Sequence, residues 1–169
     1  MKKITLLVAF IGMIGLQSCT VNEVPANTID NDTISEVFEV NRSFTTGNNF
    51  SSLVVLPHSI YSSDMVLVYR LSGVVNGTDV WKLMPETYYF GDGTLDFGYD
   101  FDFTKYDVNL FMHGFDLAGV SSNYRINQVF RIVIVPGYFG KHSLQSTKKY
   151  ADYQKVIHDF GCAEVKKLK

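Results

Sequence analysis

Apolar and polar positions alternate with a period of two along much of this chain, most cleanly between Thr94 and Phe103. There Leu95, Phe97, Tyr99, Phe101 and Phe103 share one face, while Asp96, Gly98, Asp100 and Asp102 share the other. A strand with one apolar and one wet face predicts antiparallel pairing. The stretch Val129-Phe130-Arg131-Ile132-Val133-Ile134-Val135 is instead nearly continuous and rich in β-branched residues. That pattern predicts a central strand covered on both sides, within Gln128–Val135. Further strands are expected over Ser35–Phe44, Ser52–Leu56, Met65–Val75, Thr78–Met84 and Val108–His113, separated by Gly, Asn, Asp and Ser. Asn76-Gly77 between two of them supplies the positive φ angles of a type I′ hairpin turn. Pro85 and Pro136 each close a strand, because proline cannot donate to the ladder. The mixture predicts a mainly β fold, an antiparallel β-sandwich, with an up-and-down β-barrel as the alternative.

One short C-terminal helix completes the picture. Tyr150, Tyr153, Val156, Ile157 and Phe160 fall at helical spacing and form one apolar stripe. Ser146 or Thr147 could cap its start, and Gly161 its end. A helix this short needs tertiary packing, so the stripe is expected to dock on the sheet and turn the nearby lysines outward.

The first residues follow another logic. Lys2 and Lys3 precede an apolar run, Ile4 to Leu16, that is short for a bilayer span and reads as a processed signal. Leu16-Gln17-Ser18-Cys19 closes it in the order of a lipobox, where a diacylglyceryl group is added to the cysteine before cleavage. The expected organisation is a signal peptide over 1–18, a lipidated Cys19 with a flexible tether over 19–33, and one β-rich domain over 34–169. As a flexible chain, Thr20 to Thr33 would span roughly 20 Å on average. Several acyl chains would hold the protein on a membrane through its N-terminal lipid. Thr20 lacks the Asp associated with inner-membrane retention in some bacteria, which points to the outer membrane, facing the periplasm or the cell surface. With Cys19 lipidated, Cys162 has no partner within the chain and is expected as a buried thiol.

Charge is uneven. Between Thr20 and Gly140 there are 6 Lys/Arg against 14 Asp/Glu, while from Lys141 to Lys169 there are 7 Lys against 3 acids. An acidic body with a basic tail, in an exported protein, argues against nucleic acid as a partner.

Candidate chemistry is sparse. Asp92, Asp96, Asp100 and Asp102 could form a calcium or ligand face, although residues two apart on a strand stand nearly 7 Å apart and could not wrap an ion without a loop. The same carboxylates could serve a hydrolase, and other acid or histidine arrangements on a loop-rich rim stay open. Trp81 is the candidate contact aromatic for a protein or glycan partner in a chain that is 14% aromatic. His58, His113, His142 and His158 form no zinc spacing. No Gly-x-Ser-x-Gly elbow, Gly-x-Gly-x-x-Gly, Walker A or Cys-x-x-Cys is present, so no catalytic residue, nucleotide or other cofactor is predicted.

Several segments together resemble a family of small bacterial lipoproteins of unassigned function. They are Leu16-Gln17-Ser18-Cys19, Val66-Leu67-Val68-Tyr69-Arg70-Leu71, Trp81-Lys82-Leu83-Met84-Pro85 and Gln128 through Pro136. Some members of that family carry a collagen-like Gly-X-Y stretch after the lipidated cysteine. Here Thr20–Thr33 occupies that place without such a repeat. The resemblance implies an envelope location and supplies no site residues. The expected role is a lipid-anchored binding or structural module of the envelope, with a secreted hydrolase or a calcium- or glycan-binding domain as alternatives.

Overall fold

A computed structural model describes residues 35–137, 150–162 and 164–169. Among the described residues, nine strands make two sheets. They are β1 (Glu36–Arg42), β2 (Ser51–Val55), β3 (Met65–Val75), β4 (Thr78–Leu83), β5 (Glu86–Tyr89), β6 (Leu95–Phe103), β7 (Asp107–Gly114), β8 (Gln128–Val135) and β9 (Val165–Lys167). One sheet runs β4-β3-β8-β1-β9 and the other β2-β7-β6-β5. Among the described residues both sheets are open, with edges at β4, β9, β2 and β5, so the fold is a β-sandwich and not a closed barrel. All pairings are antiparallel except β1 with β9, where Val37, Phe38 and Glu39 run alongside Val165, Lys166 and Lys167.

Alternation decides what lies between the sheets. Phe38, Val40, Val66, Val68, Phe130, Ile132 and Ile134 from the first sheet meet Val54, Phe97, Tyr99, Val108, Leu110 and Met112 from the second. β8 lies in the middle of the larger sheet and is apolar on both faces, as its continuous run requires. Its outer residues Val133 and Val135, with Val37, Leu67 and Tyr69, are covered by helix α2 (Tyr153–Asp159). Tyr153, Val156 and Phe160 are buried there and Tyr150 and Ile157 partly so, which is the expected docked stripe. The helix starts later than expected. Asp152 is its N-cap and accepts from the Lys155 amide, while Ser146 and Thr147 lie outside the described residues. Gly161 follows its last turn at φ 64°, a backbone conformation that costs glycine little.

Asn76 and Gly77 hold φ angles of 51° and 77° and join β3 to β4, as a type I′ turn requires. Past Pro85 the chain does not stop pairing. It crosses from β4 in one sheet to β5 in the other, an element hidden in the sequence because only four residues follow the proline before Phe90. A short helix, α1 (Ser122–Arg125), lies before β8.

Candidate functional site

The β4–β5 crossover places a cluster of polar side chains between the sheets. Arg70 on β3 and Glu86 on β5 are 4% and 8% exposed, and they pair through two bonds, Nε to Oε2 at 2.8 Å and Nη2 to Oε1 at 3.0 Å. Arg70 Nη1 donates to Gln128 Oε1 at 3.0 Å, and Nη2 also donates to the Tyr88 hydroxyl at 2.7 Å. The Tyr88 hydroxyl in turn donates a hydrogen bond to Glu86 Oε1 at 2.6 Å, where Lys82 Nζ also lies 3.1 Å away. Gln128 Nε2 donates to the carbonyls of Asn123 and Ile126, tying in the loop that carries α1. The Arg70 guanidinium carbon stands 4.6 Å over the Tyr99 ring.

Desolvation works against ionising Glu86, yet the hydrogen bonds from Arg70 and Tyr88 outweigh it and hold the carboxyl below its ordinary range. Arg70 moves in the complementary direction, raised by the same pair against the opposing effect of burial. Burial also pushes the Tyr88 and Tyr99 phenols up, so both stay protonated at neutral pH. The network is closed on itself: each Glu86 oxygen and each Arg70 nitrogen has a partner within it or in the adjoining backbone. Such an arrangement pins one sheet to the other and keeps its charges occupied. Arg70 is the lone charge in Val66-Leu67-Val68-Tyr69-Arg70-Leu71, a signal in the sequence that a buried partner was needed.

Beyond the cluster, aromatic packing closes this end of the sandwich. Tyr124 of α1 meets Tyr88 and Phe97 with ring centroids 5.3 Å apart in both cases, and the Tyr99 hydroxyl bonds the Tyr124 carbonyl. Outside that plug stands a rim of large apolar side chains in solvent. Tyr89 and Leu95 pair across β5 and β6, the Phe90 amide bonds the Thr94 carbonyl, and the Phe115 amide bonds the Asp96 carbonyl. All four side chains are exposed, Phe115 at 95%. This rim concentrates exposed apolar surface at one end of the sandwich.

Trp81 is a correction to the sequence reading. It is only 9% exposed, because α2 covers it: its ring lies 5.4 Å from Tyr153 and the Arg131 guanidinium sits 4.1 Å over it. Arg131 in turn bonds Glu39 and the Tyr153 hydroxyl, so the indole is part of the outer core and not a contact surface.

The aspartates stay apart in their roles. Asp92 accepts from the Thr94 amide and hydroxyl in the β5–β6 turn, and these bonds hold its carboxyl below the usual range. Asp100 accepts from the Phe101 amide, Asp96 is half-buried and Asp102 is exposed. Among the described residues, no three His, Cys, Asp or Glu side chains gather closely enough to hold a metal ion. His58 bonds Glu36 at 2.6 Å, and His113 lies against Gly98, whereas His142 is outside the described residues. Cys162 is a buried free thiol, pushed up by desolvation. Cys19 lies outside the described residues, as do Lys148 and Lys149; of the remaining tail lysines, Lys166 is paired with Glu36 at 2.6 Å and Lys167 lies 3.6 Å from Glu39.

Set against known proteins, the chain matches no family model, no curated protein and no solved structure.

Proposed function

We propose that this chain is a lipid-anchored protein of the bacterial outer membrane whose β-sandwich captures an envelope protein through the Tyr89/Phe90/Leu95/Phe115 rim. The exposed rim carries the binding reading. Four large apolar side chains held in solvent on strand ends and the adjoining hydrogen-bonded turns cost solubility, a cost that a partner offsets. Phenylalanine and leucine, with no polar tip, suit a protein surface better than a sugar. Anchoring is supported by the ordered Lys2-Lys3, apolar run and Leu16-Gln17-Ser18-Cys19, and by the likeness to small lipoproteins.

Two measurements test this. Mass spectrometry of the membrane-extracted protein should find diacylglyceryl on Cys19, and Cys19→Ala should leave an uncleaved precursor or a released protein. A soluble wild type with unmodified Cys19 would end the anchoring reading. A photo-crosslinker placed at Phe115 in intact cells should trap one envelope protein, while the same group at Asp102 on the wet face of β6 should not. Adducts with glycan alone, or equal adducts from both positions, would remove the protein-capture reading.

A further inference from the structure

A second group of exposed apolar side chains lies at the other end of the sandwich, where the chain enters the domain. Ser35 leads into β1 beside the segment after β2 and the β6–β7 turn. His58 bonds Glu36, the first residue of β1, and the Ile60 and Leu56 amides bond the Lys105 and Tyr106 carbonyls. Around that entry point Val55 is 69% exposed, Tyr106 60% and Phe103 46%. The rim described above stands at the opposite end of β6, since Leu95 begins that strand and Phe103 ends it.

We propose that this entry end rests in the interface of a phospholipid bilayer, with Val55, Phe103 and Tyr106 immersed among the headgroups. The inference rests on the anchor at Cys19 and deepens it. Fifteen residues separate Cys19 from Ser35. The flexible tether that its sequence leads one to expect would average roughly 20 Å. The far rim lies a strand of nine residues further, about 30 Å away. A lipid on Cys19 therefore brings the entry end to the membrane surface first and leaves the Phe115 rim pointing away from it.

The chemistry of the entry end fits lipid headgroups. Tyr106 offers an apolar ring with a polar tip, the amphipathic shape concentrated at membrane interfaces. Lys105 lies 5.8 Å from that ring and can extend toward phosphates while its stem stays in apolar surroundings. Lys166, the other lysine here, is occupied by Glu36, which also bonds His58. Contact is then apolar and interfacial, and anionic lipid is not required.

The test uses the full, lipid-modified chain in a Cys162→Ala background, with a polarity-sensitive fluorophore on Tyr106→Cys or on Phe115→Cys. Both labelled forms are reconstituted into phosphatidylcholine vesicles with and without brominated acyl chains. Flotation with the vesicles reports the anchor, independently of either label. The expected result is a blue shift and several-fold stronger quenching at position 106 than at 115, unchanged by high salt. Adding Val55→Ser and Phe103→Ser should return the label at 106 to water-like emission. Floating protein with equal quenching at both positions, or with water-like emission at both, would overturn the interfacial contact while leaving the anchor standing. Emission that is shielded in native membranes but water-like in pure lipid would assign this end to a protein partner and overturn the proposal. Protein that does not float would refute the anchor itself.

Discussion

Arg70 and Glu86 join the two sheets of the sandwich through a paired fork of hydrogen bonds, 2.8 and 3.0 Å long, in a place where both side chains are almost wholly buried. The strands that carry them, β3 and β5, belong to different sheets, so the pair acts across the core. Removing one member leaves the other as an uncompensated buried charge. Arg70→Leu or Glu86→Leu alone is expected to cost about 3–5 kcal/mol, more than either residue's share of packing. Arg70→Leu with Glu86→Leu should cost less than either single substitution, because no orphan charge is left. Urea unfolding of the two singles and the double closes the cycle, and additive losses would show that the pair does not act as a unit.

Acid should weaken the fold, and by a traceable route. Glu86 is held below its ordinary range by Arg70 and Tyr88 against the opposing effect of burial, and Glu36 likewise by Lys166 and His58. A carboxyl with a depressed folded pKa contributes stability that is present above its unfolded pKa and is lost as pH falls through the folded value. Melting temperature should therefore hold near neutrality and decline from about pH 5 downward. Glu86→Gln should lower the plateau and flatten that decline. An acid limb as steep in Glu86→Gln as in wild type would assign it to other carboxyls.

Trp81 is the only tryptophan, so its emission reports one place. It lies between Arg131 and Tyr153 under α2, and native emission should be blue-shifted relative to the urea-unfolded chain. Tyr153→Ala removes its cover and one end of the Arg131 bond network. The variant should emit further to the red while still folded, and lose about 3–5 kcal/mol. Emission unchanged in Tyr153→Ala would mean that α2 does not shield the indole.

The burial of Trp81 also shows where sequence reasoning reached its limit. Period-two alternation in Leu95–Phe103, the apolar run of β8 and the Asn76-Gly77 turn are local, and each predicts its element from neighbours along the chain. The docked stripe of α2 was legible for the same reason. What covers Trp81 is not local, because Tyr153 comes from the far end of the sequence. Glu86-Thr87-Tyr88-Tyr89 has strand-forming residues but is too short to show alternation, and nothing in it tells Glu86 that Arg70 awaits it in the other sheet. β9 was hidden because Val165-Lys166-Lys167 has no apolar face of its own; it is held by the edge of β1 and by Glu36 and Glu39. The Asp96/Asp100/Asp102 face was legible as a set of positions, but alternation says only that residues share a side, not that they converge.

Gly98 offers the last test, since its smallness serves space and not conformation. It lies in β6 between β5 and β7, opposite Thr87 on one side and His113 on the other. A Cβ built there would stand 2.5 Å from His113 Nε2 and 2.9 Å from the Glu86 carbonyl oxygen. Both are closer than carbon tolerates, but they differ in how they can yield. The imidazole can swing away at the cost of its packing, whereas the Glu86 carbonyl is fixed by strand pairing and carries the side chain that holds Arg70. Gly98→Ala is therefore expected to destabilise by roughly 1–3 kcal/mol, in the range of an overpacked core site. Adding His113→Ala should recover part of that loss and not all of it. Full recovery would mean that the backbone of β5 adapts freely, and the crossover from β4 would then be softer than its bonds to Arg70 indicate. No loss in Gly98→Ala would mean that β5 and β6 pair less closely than described.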